Sequence, residues 1–449
     1  MHTPTLQASR RTKKTPVGEI PVEWAVHKLG ELCRIIHGYP FASHEMVVSD
    51  DRSLPIVVTI GNFRYDGGFR FGTTATKRLH GEVPPGTRLH PGSLLLIMTC
   101  QTPDGAVLGI PGAIPSDGQV YLHNQRMGLV EILDETRLDS AFLFHVCCWS
   151  GLRRHLVETA GGTKVLHTSP GKIESFRFAV PPLGEQRKIA TVLMEWDHAL
   201  EHVESLLAAK QELKRGLMQQ LLTGRKRFKE FVTSVKQVRT HFGPFPADWA
   251  AVYIGDVADE ISEKNDGGHE LPVLSCTKHR GLVNSLEYFG KRIFSEDTRS
   301  YRVVRRGDYA YATNHIEEGS IGYQNLHEAA LISPMYTVFR TRAGVDHSFF
   351  FKLVKTEVYR HIFETNTNGT INRRGALRWD DFARIKVHLP SESEQRRIAA
   401  VLETCDGELE LLRMELTVLK EQKRGLMQKL LTGEVRVKTP PVEGRARRG

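Results

Sequence analysis

Apolar residues recur every seven positions in two separated stretches of the chain. In the first, Ile189, Trp196, Val203 and Leu217 mark one seam, and Leu193, Leu200, Leu207 and Leu221 mark a second, with Lys210 interrupting. In the later stretch, Ile398, Cys405, Leu412, Leu419 and Leu426 run beside Leu402, Leu409, Leu416 and Leu430. A seven-residue period held this long predicts two helices with coiled-coil seams. Pro181, Pro182 and Pro390 stand just before the predicted starts, where helices tolerate proline. Gly224 and Gly433 follow a threonine at the predicted ends, where a left-handed glycine stops a helix. The helices are therefore placed over 184–224 and 393–433. About 38 residues at about 1.5 Å each make a rod of roughly 55 Å. One such rod cannot bury its own stripe, but two can bury each other's. Lys210 faces the seam where its counterpart is Leu419; the mismatch either sets register or leaves a lysine snorkelling at the edge.

The two stretches are copies. Residues 185–224 and 394–433 align without a gap and share 22 of 40 positions, and KRGLMQQLLTG (214–224) differs from KRGLMQKLLTG (423–433) at one residue. Such self-similarity marks internal duplication. It continues more faintly outside the helices. IPVEWAVHKLGEL (20–32) matches FPADWAAVYIGDV (245–257) in its proline, tryptophan and glycine. SAFLFHVCCWSGLRRHLVETAGGT (140–163) parallels SFFFKLVKTEVYRHIFETNTNGT (348–370), each reading as a helical stretch followed by a Gly-Thr loop. The order is domain, long helix, domain, long helix. Short apolar runs such as LPIVVTIGN, GSLLLIMT and QVYLHNQRMGLVEI, set between Gly- and Pro-rich turns, predict α+β domains. The short link 225–244 implies that the second helix runs back along the first, as an antiparallel, pseudo-twofold pair. Boundaries follow: a basic disordered arm (1–17), a domain (18–183), a helix (184–224), a basic linker (225–244), a domain (245–392), a helix (393–433) and a basic disordered tail (434–449).

Composition adds a partner. The 449 residues carry a formal net charge of +9, which leans toward a polyanion. No run of about 18 apolar residues predicts a membrane span. The N-terminal stretch is basic without an apolar core behind it, so no secretory signal is expected. The six cysteines show no CxxC spacing, which suits free thiols in a reducing cytoplasm.

No familiar catalytic constellation stands in the sequence. The nearest approach to a phosphate loop, GEVPPGTR (81–88), has Thr87 in the lysine's place and two prolines that remove backbone donors, so it reads as a turn. No asparagine- or aspartate-Pro-Pro-aromatic motif of an amino-methyltransferase occurs. His198 and His202 stand four apart on the first helix, but their counterparts are Gly407 and Leu411, so no metal site is expected. The chain is expected to be no enzyme and to hold no cofactor.

The EQR[KR]IA opening, the long helix and the KRGLMQ[QK]LLTG close, twice over, resemble the specificity subunits of type I restriction–modification systems across about residues 18–433. The resemblance implies two target-recognition domains for double-stranded DNA, each reading one half of a bipartite, asymmetric site. It also implies spacer helices that set the gap. Two adenine methyltransferase subunits and two ATP-driven translocase–nuclease subunits are the implied partners, and they would use S-adenosylmethionine, ATP and Mg. A stand-alone DNA-binding accessory protein on the same scaffold, and an enzyme with an unrecognised site in a Gly-rich loop, stay open. The loops matched between the halves supply the candidate DNA contacts. In the first domain these are Asn62, Arg64, Tyr65, Gln101, Lys164 and His167. In the second they are Lys278, His279, Arg280, Asn314, His315, Asn372, Arg373 and Arg374. Each also fits a solvated surface residue. The basic link RKRFKEFVTSVKQVR (225–239) fits either a segment lying along DNA or a solvated helical extension.

Overall fold

The structure is a computed structural model that describes residues 6–8, 11–72, 76–240, 243–367 and 376–437. The two long helices form where the heptads predict them, as Leu183–Leu221 and Glu392–Thr432. Gly224 and Gly433 take left-handed φ values of 68° and 74° just past their ends. A Cβ at either would meet the ring of the proline that opens its domain, Pro246 or Pro21, at 2.4 Å. Glycine is thus required both for the turn and for the close approach.

The chain divides into two compact units, and the boundary falls inside both long helices. One unit comprises 1–203 and 415–449, the other 204–414. Each unit therefore holds one domain with the near halves of both helices. In the first unit, Asp197 of the first helix meets Lys423 of the second. In the second unit, Lys214 meets Asp406, and Lys210 Nζ lies 2.7 Å from Glu408 Oε2. As the position on the first helix rises from 210 to 214, its partner on the second falls from 408 to 406, so the pairing is antiparallel. Lys210 is neither stray nor merely snorkelling; it pairs with the facing helix.

The seam is buried unevenly. Ile189, Leu193, Ile398, Leu402 and Leu430 are fully buried, and Leu200, Val203, Leu221 and Leu409 nearly so. Trp196, Cys405, Leu207, Leu217, Leu412, Leu416, Leu419 and Leu426 are half-buried. The fully buried positions lie near the helix ends because there the stripe enters a domain core. Ile189 and Leu193 pack with Trp24, Phe142 and Leu430, and Ile398 and Leu402 with Trp249, Phe349 and Leu222. Apolar area removed from water on both faces is the main source of helix stability here.

Both domains are α+β with one sheet plan. In the first unit the antiparallel order is Pro111–Ala113, Leu94–Ile97, Met127–Ile132, Cys33–His37. In the second it is Ile321–Tyr323, Tyr309–Ala312, Tyr336–Thr341, Ala258–Ile261. The first unit adds a five-stranded sheet in which Ile56–Val57 pairs in parallel with Tyr121–Leu122.

Three expectations change. The arm placed over 1–17 is partly a strand pair: Thr12–Thr15 forms a hairpin with Gly18–Pro21. Leu6–Ala8 pairs with Val435–Val437, so the start of the tail expected to be disordered is a strand as well. The link is neither a helical extension nor, at Arg227, free to lie along DNA. It holds a short 3-10 turn (Lys229–Phe231) and the strand Gln237–Thr240. The Arg227 side chain is only 8% exposed and pairs with Asp248 and Glu394.

Candidate nucleic-acid interface

The repeated EQR opening builds the joint that aims each domain. Gln186 is fully buried. Its Oε1 accepts from the Asp139 amide at 2.8 Å, and its Nε2 donates to the carbonyls of Arg137 and Pro181. Gln395 does the same with the Asp346 amide and the carbonyls of Gly344 and Pro390. Asp139 and Asp346 in turn cap the domain helices Ser140–Cys148 and His347–Val354. Glu185 accepts from Arg436 and from Trp24 Nε1. Glu394 accepts from Arg227, whose guanidinium also lies over the Trp249 ring. Buried amides and forked ion pairs fix orientation because any other geometry leaves them unpaired.

In the first domain, loop residues gather around a polar concavity of about 440 Å³ lined by His37, Gln101, Gln125, Arg126, His167 and Thr168 among others. Its walls are backbone-pinned. Thr99–Cys100 pairs with Leu166–His167, the Thr168 amide donates to Met98 O, and the Met98 amide to Arg126 O, both at 2.9 Å. Gly38 passes so close to the Asn124 backbone that a Cβ would stand 2.3 Å from it. Behind the wall, His123 is buried, with Nε2 2.9 Å from Met127 O. Burial pushes its pKa down, against the pull of that carbonyl. The groups presented outward are two amides, a guanidinium and two imidazoles. Amide and guanidinium groups are the ones that read base edges bidentately.

The candidates distribute unequally over this geometry. Gln101 and His167 are brought together in the concavity, with Thr99 Oγ1 3.2 Å from His167 Nδ1. Lys164 is exposed on the adjoining loop. Tyr65 is 78% exposed, and beside it Arg64 pairs with Asp66. Asn62 is corrected: it is fully buried, and its Oδ1 accepts from the Thr59 amide and hydroxyl, closing a 3-10 turn. His37, Gln125 and Arg126, which the match between loops did not single out, share that concavity. The signal for two of them was present, since Gln125 and Arg126 form the polar break between the apolar runs of QVYLHNQRMGLVEI.

In the second domain, Lys278, His279 and Arg280 form the exposed tip of the hairpin Leu274–Thr277/Gly281–Asn284. Lys355 Nζ donates to Lys278 O and to Gly319 O, tying that tip to the loop after Asn314 and His315. Asn314 is half-buried, and His315 is exposed beside Glu318. Asn372, Arg373 and Arg374 lie outside the described residues. Among the described residues, metal-donor atoms converge at His315, Glu317 and Glu318, all within 4.8 Å of one another. Exposed carboxylates gather in this way without an ion. No described helix is long and apolar enough to cross a membrane.

The repeated unit is one α+β domain followed by one long helix, and each domain carries exposed polar loops. The chain is similar in sequence and fold to the specificity subunits of type I restriction enzymes, as the repeated helix motif implied. It is 28% identical over 296 residues to the type I restriction enzyme MjaVIII specificity subunit of Methanocaldococcus jannaschii, a match spanning 62% of this chain and 66% of that one. It is 23% identical over 463 residues to the putative type I restriction enzyme MjaX specificity subunit of the same organism, spanning 95% and 97%. In fold it resembles the S subunit of a type I restriction–modification system from M. genitalium, with a TM-score of 0.54 at 14% identity over 96% of this chain and 99% of that one. A second solved chain, from a study of complex assembly and conformational transition of the type I system, gives 0.53 at 16% identity over 92% and 99%. No family model matches the chain.

Proposed function

We propose that this chain is the DNA-reading subunit of a type I restriction–modification complex and carries no catalysis of its own. Each domain reads one half of a bipartite, asymmetric site, and the paired helices set the gap. Two methyltransferase subunits dock on it, and through them two translocase–nuclease subunits. S-adenosylmethionine, ATP and Mg belong to those partners.

The observation that carries the reading is the twofold repetition of the junction. The same glutamine, glutamate and arginine fix two sheet-matched domains whose exposed loops differ. A shared frame with divergent loops suits two half-sites of different sequence. DNA has local twofold axes, so a pseudo-twofold reader addresses both strands, and one turn of B-DNA spans about 34–36 Å. Affinity comes mainly from lysine and arginine on phosphates, and it falls with salt.

The test is sequencing of methylated adenines in a host that carries only this chain and its methyltransferase. The expected result is one bipartite asymmetric motif that vanishes when this chain is deleted. A contiguous palindromic motif, or methylation that persists without the chain, overturns the reading.

A further inference from the structure

The first unit contains a second concavity, of about 760 Å³, between its four-stranded sheet, the helix Ser140–Cys148 and the face of the first long helix around Met194–Glu201. That volume falls within the range of small-molecule sites. Its floor is apolar, with leucine, methionine and phenylalanine side chains, and its walls carry Asp66, Glu131, Glu135, Asp197 and Glu201. The cations in the lining are Arg64, bonded to Asp66, and whatever charge the histidines hold. Asp66 also faces Lys420 at 3.8 Å, Glu131 faces Arg34 at 3.8 Å and Asp197 is bonded to Lys423, so the uncompensated negative charge of the cleft lies at Glu135 and Glu201.

His145 lines the cleft and is 1% exposed. Neither ring nitrogen makes a hydrogen bond of good geometry, although the Ala190 carbonyl lies close enough to favour a ring N–H, and Nδ1 stands 3.9 Å from Asp197 Oδ2. Burial, against the attraction of Asp197, pushes its pKa down to about 4. The ring is therefore neutral at physiological pH, with one nitrogen as an acceptor. With one ring nitrogen turned to the Ala190 carbonyl, the other is a buried acceptor with no donor beside it, which is costly to leave unmade.

The second unit shows what fits. Asp139 and Asp346 cap equivalent helices, and six residues after each comes His145 or Lys352. Asp197 and Asp406 are equivalent on the long helices, as are Lys423 and Lys214. Asp406 receives two ammonium groups, from Lys214 and from Lys352, the latter at 2.8 Å. Asp197 receives the matching Lys423, but the imidazole is too short to supply the second. The first unit thus repeats the site with an imidazole in place of one alkylammonium, and the cleft is lined by that imidazole and by Asp197.

We propose that this cleft binds a free aliphatic di- or polyamine, whose terminal ammonium sits between Asp197 and His145 where the second unit places Lys352 Nζ beside Asp406. Its methylene chain lies along the apolar floor, and its second ammonium meets the carboxylates at the mouth, Glu135 and Glu201. The inference goes beyond the DNA-reading function and stands or falls separately from it, because it is tested without DNA.

The experiment is titration calorimetry of the full chain with 1,5-diaminopentane and with spermidine at physiological salt. Saturable one-site binding is expected. His145→Lys, which copies the second unit and supplies its own ammonium, is expected to weaken binding at least tenfold with the melting temperature unchanged or raised. Glu201→Gln, at an exposed position that cannot unfold the chain, is expected to weaken it several-fold. Excess Mg is expected not to displace the amine. Absence of saturable binding, binding equally tight in both variants, or displacement by Mg at matched charge overturns the proposal.

Discussion

Arg436 and Glu185 lie 251 residues apart, yet they form a forked pair, Nε to Oε1 at 2.8 Å and Nη2 to Oε2 at 2.6 Å. Arg227 and Glu394 form the same fork at 2.8 and 2.7 Å. One offset maps both partners onto their copies (436 − 227 = 209 and 394 − 185 = 209). Each arginine also reaches the acid just before the junction tryptophan, Glu23 or Asp248. An arginine a few residues past the end of each long helix is thus bonded to the start of the other, once in each unit.

The two forks differ in burial, and that sets a first prediction. Arg227 is 8% exposed and Arg436 29%. Removing one partner of a buried pair costs about 3–5 kcal/mol, because the other charge is left stranded. Arg227→Ala is expected to destabilise the second unit by about 3 kcal/mol and Arg436→Ala to destabilise the first by less. Urea melts followed by hydrogen exchange in each unit check the ranking. Equal, small effects would show that the forks contribute nothing beyond surface pairs.

Acid sensitivity follows from Asp406. Burial raises its pKa, but the bonds from Lys214 and Lys352 outweigh that and leave it below the ordinary carboxylate value. A folded-state pKa below the unfolded value means that the unfolded chain binds the extra proton. Stability is therefore fully present above the unfolded pKa, about 3.9, and is lost as pH falls through the folded one. Asp406→Asn is expected to be less stable than the parent at pH 7, with the gap closing as the pH drops below about 4. Denaturant midpoints at a series of pH values measure it; a gap that widens in acid contradicts the argument.

The concavity of the first domain makes a third prediction, which rests on the proposed function. Gln125→Ala and Arg126→Ala are each expected to relax discrimination at one position of one half-site by about 1–3 kcal/mol, leaving the other half-site unchanged. Lys164→Ala is expected to weaken binding evenly across sequences and to reduce the salt slope by about 0.9. Gel shifts on half-site variants at several salt concentrations separate the two behaviours. Loss of both half-sites together would mean that these residues hold the fold rather than read bases.

How much of this was legible in the sequence depends on whether a residue's role is local or periodic. The heptads gave the long helices to within about three residues, and the glycines at 224 and 433 marked their ends, because backbone sterics and stripe burial are written in order along the chain. The repeat also pointed to EQR, but not to what it does. The partners of Gln186 lie 47 and 49 residues away, at Asp139 and Arg137, and only the fold brings them there. Asn62 misled because an asparagine that caps a turn and one that reads adenine look alike in sequence. The strand pairing of Leu6–Ala8 with Val435–Val437 was invisible, since each segment alone is too short and too polar in context to announce itself.

The helix pair itself offers the last prediction. The boundary between the compact units cuts the first long helix after Val203 and the second after Met414. The ion pairs Asp197–Lys423 and Lys214–Asp406 lie on either side of those points, each inside its own unit. Inserting seven residues after Val203 and seven after Met414 keeps the heptad phase and preserves both pairs. It lengthens the paired segment by about 10 Å at about 1.5 Å per residue. With DNA rising about 3.4 Å per base pair, the methylated motif is expected to keep both half-sites and to gain a gap of about three base pairs. Insertion in one helix alone puts its seam out of register with its partner and is expected to abolish methylation. A doubly extended chain that methylates at the original gap would show that the helices do not measure the distance.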